Sequence, residues 1–264
     1  MKPFLLLAYW SEHGREGDPA SPRAAPYLIE PYAATLRTSP PGPALLAPEP
    51  CGGRVTPQCP VACWYKPGHG RLTASQALAV SCNQYFYQLS RQTDPAAFTR
   101  ILTVLGVRGG SARVQAASTT PETMIGLDDR LRLSPLQVLN AYGVLLSGHA
   151  SAEAKSASFP ALARVVLLAG LALGADEGTS ALAQQALPPN HLLLGKTGTS
   201  PALAGGRYSI AKTDGWFLGF YPRSEPVLAV MVYYPNGLGA KDAAPLGGRA
   251  IKLYLETIRQ TDGP

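Results

Sequence analysis

Apolar and polar positions alternate with two different rhythms along this chain, and those rhythms divide it. From Thr73 the spacing is helical. Thr73-x-x-Gln76 has the form of a capping box and opens a helix through Ala77, Leu78 and Val80. Asp94-Pro95 begins a second, with Phe98, Ile101, Leu102 and Leu105 on one face and Gly106 past its end. Ser134-Pro135-x-Gln137 begins a third, carrying Leu136, Leu139, Tyr142 and Leu146. Helical pattern continues over roughly 160–186, broken near Gly174 to Gly178.

The rhythm then changes. "HLLLGKTGTS", "TDGWFLGFYP" and "PVLAVMVYYP" read as three strands bounded by Gly, Asn and Pro, the last two close enough for a hairpin around Arg223-Ser224-Glu225. A closing helix over about 244–260 offers Ile251, Leu255 and Ile258 as its buried side. Residues 17–70 show neither rhythm; they are rich in Pro and Gly, as in "TSPPGPALLAPEP" at 38–50. The pattern predicts an α+β fold, an antiparallel sheet flanked by helices plus an all-helical region. It is read as a single domain over 1–264, degenerate or irregular over 1–63.

Composition narrows the function. With 264 residues, 46% hydrophobic and 15% charged, the chain suits a globular protein. Its net charge of +6 comes from scattered cations without a basic run, which argues against nucleic acid as a partner and allows an anionic substrate. The longest apolar run, Val165 to Leu173, is nine residues, too short to span a bilayer. Leu5-Leu6-Leu7-Ala8 is too short for a secretory core, so an export signal or anchor is not expected within this chain. Cys51-x7-Cys59-x3-Cys63 with His69 matches no common zinc spacing; a loop disulfide or free thiols is the reading, with no metal and no cofactor expected.

The densest chemistry lies in "LGKTGTS" at 194–200. A phosphate cradle would need a glycine at 190, where Asn190 stands, and a helix after Thr197, where Gly-Thr-Ser-Pro follows. The alternatives are an edge strand whose Lys196 and hydroxyls hold a carboxylate, or a buried strand with a chance lysine. Upstream, Ser81-Cys82-Asn83 sits at the break between two helical segments, where its polar side chains could simply cap the helix that follows.

Together and in this order, S-x-N and K-T-G resemble the transpeptidase domain of penicillin-binding proteins, in the serine acyl-transferase superfamily that includes the serine β-lactamases. "HGRLTASQALAVSCNQYFYQLS", "MIGLDDRLRLSPLQVLNAYGVLLSG", "EGTSALAQQ" and "GWFLGFYP…PVLAVMVYY" are similar to further segments of that family, so the resemblance covers about 64–260. It implies that the two motifs face each other across a cleft. Lys196, Thr197, Gly198 and Thr199 would bind the terminal carboxylate of a peptidoglycan stem peptide or of a β-lactam. Ser81 would relay a proton to the leaving group, and Asn83 would hydrogen-bond the peptide amide. The backbone N–H of Thr199 would supply half of an oxyanion hole. Location outside the cytoplasm and association with other cell-wall synthesis proteins are implied too.

The family's first motif, S-x-x-K, pairs a nucleophilic serine with a lysine one helical turn on. Among the seven lysines, Ser209-Ile-Ala-Lys212 alone has that form, but it follows the K-T-G strand, out of order. Cys63-x-x-Lys66-Pro67, a thiol version with the proline that often follows the family's lysine, stands too close to Ser81. Lys2 has no residue three positions before it. Alignment by order puts Ser21 at the serine and Ala24 at the lysine, or Pro43 and Leu46; the first leaves the more natural distance to Cys51. Ser21 would then donate the other half of the oxyanion hole. Without a base the hydroxyl is a poor nucleophile, at a cost of about 10²–10⁴-fold. The expectation is a degenerate transpeptidase, a pseudoenzyme, with two rivals: a non-catalytic wall or divisome scaffold, and a slow acyl-serine enzyme using Ser21.

Overall fold

In the computed structural model, residues 1–13, 50–107, 120–128, 130–147, 161–204 and 207–261 are described. Ser21, Ala24, Pro43 and Leu46 lie outside them. Two compact units divide at Gly170/Leu171.

The first unit is built around α1, Lys2–His13. Every residue from Lys2 to Ala8, and Trp10, is buried. A helix apolar all round carries no period, and it stands where the sequence suggested no regular element. Pro3 falls in its first turn, where a missing N–H costs nothing. Around it pack α2 (Ala74–Ala79), α3 (Asn83–Ser90), α4 (Pro95–Val104) and α5 (Pro121–Ile125). Phe4 also meets Tyr142 of α6 (Pro135–Ser147) edge-on, with ring centroids 5.3 Å apart.

The helix starts follow their signals. Thr73 and Gln76 close the capping box, Asp94 accepts from the N–H of Ala96 ahead of Pro95, and Ser134 and Gln137 satisfy each other's backbone N–H. Gly106, after α4, takes the left-handed conformation that suits glycine at a helix end.

The second unit is sheet and helix. α7 (Ala161–Asp176), within which the division falls, is followed by α8 (Ala181–Gln185). β1 (Leu194–Ala204), β2 (Arg207–Tyr221) and β3 (Leu228–Tyr234) pair antiparallel in the order β1-β2-β3. Lys196 stands opposite Leu218, and Gly198 opposite Trp216. After a short π-helical turn at Gly239–Ala243, α9 (Ala244–Thr261) lies against β2 and β3. Phe217, Leu193, Ala183, Leu187, Ile251 and Leu255 form its core. Ile258, expected on the buried side of α9, is 37% exposed, because the core reaches only as far as Leu255. The fold is α+β, as the sequence pattern implies.

Candidate functional site

In the first unit the chemistry gathers at the first turn of α1. Lys2 Nζ donates to the carbonyl oxygen of Ser81 (2.7 Å), to Ser81 Oγ (3.1 Å) and to Asn83 Oδ1 (2.6 Å). All three N–H directions of the ammonium are thereby used. Phe86 of α3 packs nearby, its ring centroid 6.0 Å from Nζ. Lys2 is buried, and the loss of hydration lowers its pKa from 10.5 to about 8, against the opposing pull of Cys82 and Cys63. An amine that holds and releases a proton near neutrality is a competent base.

The turn that meets it is unusual. Ser81 has φ 53°, a left-handed conformation costing a non-glycine residue about 1–3 kcal/mol. Neighbours hold it there. Trp64 Nε1 donates to the carbonyl of Val80 at 2.7 Å, and Asn83 Nδ2 donates to Ala62 O at 3.1 Å. The cap of α3 is neither Ser81 nor Asn83: Cys82 occupies the N-cap position and its Sγ accepts from the N–H of Tyr85 at 3.4 Å. Capping therefore does not account for the two polar side chains, which are turned to Lys2 instead.

Behind the turn lies a knuckle over residues 50–70. Cys51 and Gly70 exchange both backbone hydrogen bonds. Gly53 and Gly68 have positive φ, and a Cβ on either would come within 2.3 Å of a carbonyl oxygen, so only glycine fits. The buried Gln84 amide ties the knuckle to α3, accepting from Gly53 N–H (3.0 Å) and donating to Arg54 O (2.6 Å) and Val61 O (3.1 Å).

This arrangement collects Cys51, Cys63, His69 and Cys82, whose ligand atoms all lie within 4.8 Å of one another. None of the cysteines is in a disulfide. The group differs from the set weighed in the sequence: Cys59 stays out of it, and Cys82, distant in sequence, joins it because the start of another helix brings it there. The Cys63 thiol is pushed well down by its contact with Cys82, and Cys82 is pushed up by the same contact.

In the second unit, β1 carries Lys196 at an edge of the described sheet. Lys196 is 6% exposed and Nζ donates to Thr197 O at 2.7 Å. Thr197 Oγ1 donates to Thr179 Oγ1 (2.6 Å), which links the strand to the "EGTS" turn ahead of α8. Thr199 Oγ1 accepts from the N–H of Gly239 (3.1 Å). A Cβ on Gly239 would lie 2.2 Å from Gly198 O, so that close approach requires glycine there. A Cβ on Gly198 would sit in ordinary contact with Trp216, 3.5 Å from its Cβ. Bidentate pairing of Arg223 with Asp176, and Arg223 Nε donating to Leu193 O (3.1 Å), fix the start of β1.

Ser81, Asn83 and Lys196–Thr199 stand out in the sequence by motif, whereas Lys2 does not; its signal is a lysine followed by proline and then an unbroken apolar stretch, Lys2-Pro3-Phe4-Leu5-Leu6-Leu7. Ser209 and Lys212 lie within strand β2, so that S-x-x-K is not at a helix start.

The family model for the penicillin binding protein transpeptidase domain matches residues 52–252. No curated protein matches this chain. Among solved structures, it is similar to Helicobacter pylori PBP2 (TM-score 0.61, 19% identity, covering 80% of this chain and 45% of that one). It is similar also to Pseudomonas aeruginosa PBP2 (0.64, 16%, 96% and 59%) and to PBPA from Mycobacterium tuberculosis (0.66, 16%, 96% and 60%). The chain thus spans about half of the length of the first two. These likenesses speak for the fold, and the family match covers most of the sequence: the chain belongs to the penicillin-binding protein transpeptidase family.

Proposed function

We propose that these residues serve D,D-transpeptidase acyl transfer on peptidoglycan stem peptides, with Lys2 as the amine of the family's first motif. One observation carries the reading: Lys2 Nζ lies within hydrogen-bond reach of both Ser81 Oγ and Asn83 Oδ1. A serine three positions before Lys2 would share its helix face, and that position falls before Met1, outside these 264 residues. Alignment by order put Ala24 at the lysine; this reading gives that place to Lys2 instead.

In this reading the serine hydroxyl attacks the carbonyl of the penultimate D-Ala, and its proton passes to the Lys2 amine. Ser81 Oγ, 3.1 Å from that nitrogen, hands a proton to the departing D-Ala amine. Asn83, held by Lys2 and Ala62 O, hydrogen-bonds the peptide amide through the remaining capacity of its carbonyl oxygen. In the second unit, Lys196, Thr197 and Thr199 supply the cation and hydroxyls for a terminal carboxylate and Thr199 an N–H for an oxyanion, the roles that family resemblance implies. The same grip would take a β-lactam carboxylate.

The site operates outside the cytoplasm, as family resemblance implies; among the described residues no helix is long and apolar enough to cross a membrane. One structural neighbour is a Helicobacter pylori PBP2 in complex with MreC (TM-score 0.67, 18% identity, 97% of this chain and 49% of that one), which supports a wall-synthesis protein as partner.

The test compares the 264-residue chain with an extended chain preceded by a helical turn that places serine three residues before Lys2. Both are treated with fluorescent penicillin, and the adduct is located by mass spectrometry. The expected result is a covalent adduct on the added serine and none on the shorter chain. An adduct on Ser21 would instead establish the slow acyl-serine rival, and no adduct on either chain the scaffold.

A further inference from the structure

We infer that the buried Asp214 is the positioning residue for the Thr199 hydroxyl: it clamps the turn at 235–239, whose Gly239 N–H fixes Thr199 Oγ1 for a ligand carboxylate. The clamp stands on hydrogen bonds within the second unit; its effect on carboxylate binding rests on the function proposed above.

Thr199 is exposed, and exposed side chains ordinarily exchange rotamers freely. This one is tied down: Oγ1 accepts from the N–H of Gly239 at 3.1 Å. One lone pair is thereby occupied, which turns the hydroxyl proton away from that N–H and leaves the group to donate outward. A donor aimed before its ligand arrives costs no ordering when the ligand binds. The quality of that aim depends on how firmly the N–H of Gly239 is held.

Asp214 lies on β2 opposite Ser200 of β1 and is 6% exposed. Its Oδ1 accepts from the N–H of Asn236 at 2.9 Å, and its Oδ2 from the Tyr233 hydroxyl at 2.7 Å. Asn236 has φ 54°, a left-handed conformation that persists only where its surroundings hold it, and the Asp214 carboxylate is what holds it. Beside this contact Thr213 Oγ1 donates to Gly237 O at 3.1 Å, and the N–H of Leu238 donates to Asp242 Oδ2 at 2.7 Å. The turn is thus pinned at every residue leading to Gly239. It also lies hard against the strands: a Cβ on Gly215 would stand 2.6 Å from the carbonyl carbon of Leu238. Tyr233 packs on Trp216, with ring centroids 4.6 Å apart, and Trp216 Nε1 donates to Ser200 Oγ at 2.8 Å. The network that starts at Asp214 therefore reaches Thr199 from the turn and its neighbour Ser200 from the strand. What the turn requires of residue 214 is an accepting oxygen rather than a charge. Asparagine would supply one to the Asn236 N–H, while its NH2 donates to a Tyr233 hydroxyl turned about.

The experiment follows the 264-residue chain and its Asp214→Ala, Asp214→Asn and Thr199→Val variants by NMR. Each is titrated with benzylpenicillin and with its methyl ester, which lacks the carboxylate charge. Without ligand, the Gly239 amide should exchange faster with solvent and the Thr199 three-bond couplings should average over rotamers in Asp214→Ala, but not in Asp214→Asn. Thr199→Val loses the hydroxyl itself, and its affinity for the acid should fall about 10–100-fold. Asp214→Ala only frees the hydroxyl, which the ligand must then order, so the fall should be about three- to tenfold. Asp214→Asn should stay within about twofold of the parent, since no partner is lost. Affinity for the ester should be alike in all four chains, whereas a purely structural Asp214 would weaken acid and ester together. If Asp214→Ala does not fold, Thr213→Val, of nearly the same shape as the parent, removes the neighbouring contact and should move the same readouts in the same direction. Unchanged Gly239 exchange and Thr199 couplings in Asp214→Ala overturn the clamp. An unchanged ratio of acid to ester affinity overturns its role toward the carboxylate. A parent chain that binds neither compound overturns that role and counts against the transpeptidase reading, while the ligand-free readouts still decide the clamp.

Discussion

Lys2 Nζ and Asn83 Oδ1 stand 2.6 Å apart, which joins the first turn of a buried helix to a turn 81 residues away in sequence. Nothing between those residues in the chain announces the contact. It is made because α1 is apolar on every side and must lie inside the helical unit, bringing its one cation with it. An ammonium in such a place is costly unless its donors are filled, and the left-handed Ser81 aims its own carbonyl and hydroxyl at it.

The first prediction concerns pH. Burial lowers the pKa of Lys2 to about 8, so its amine becomes the free base as pH rises through that value. Acylation of the extended chain by penicillin should climb between about pH 7 and 9 and then level off. Stability has the same sign: between about 8 and 10.5 the unfolded chain binds the proton that the folded chain has released, so folding strengthens with pH across that window. The NMR titration of Lys2 Cε, assigned by loss of its signal in Lys2→Met, checks both; a midpoint above 10 would contradict them.

Gln84 is the clamp of the knuckle. Gln84→Ala leaves the N–H of Gly53 and the carbonyls of Arg54 and Val61 without their partner. Denaturant unfolding should show a loss of about 2–4 kcal/mol, since each buried group left unpaired costs about 1–3 kcal/mol and water recovers part of it.

The approach of Gly239 to the K-T-G strand gives a steric prediction. Gly239→Ala would put a methyl 2.2 Å from Gly198 O and should cost about 1–3 kcal/mol by displacing β1. Gly143→Ala in α6, with open space around its Cβ, should instead gain about 0.5–1 kcal/mol. Thermal melts of the two variants should therefore move in opposite directions.

Asp176→Ala removes the carboxylate that pairs with Arg223, whose Nε also holds Leu193 O. Both side chains are about one-fifth exposed, so the pair is worth more than a surface ion pair. A loss of about 1–3 kcal/mol, largest at low salt, is expected in equilibrium unfolding.

Much of this structure was legible where a residue type acts locally. Thr73-x-x-Gln76, Asp94-Pro95 and Ser134-x-x-Gln137 start helices because their side chains satisfy N–H groups two or three residues away, and the three strands are bounded by Gly, Asn and Pro. What was hidden depends on distance in sequence. α1 is buried on every side from Lys2 to Ala8 and has no polar face there to mark its period, and Lys2, with no residue three positions before it, completes no S-x-x-K. Cys82 joins Cys51, Cys63 and His69 only because α3 starts against the knuckle, and its thiol both caps that helix and faces the cluster. Ile258 followed the helical period correctly, yet the core it was meant to join ends one turn earlier.

The central claim is that Lys2 supplies the base, and one comparison tests it most directly: the acylation rate of the extended chain with Lys2, and with Lys2→Met, at saturating penicillin. Methionine fills nearly the same apolar space, so fold and non-covalent affinity for the β-lactam should be retained. The rate at pH 8.5 should fall by about 10²–10⁴-fold. A Lys2→Met chain that acylates within about threefold of the parent, with the adduct still on the added serine, would contradict the account.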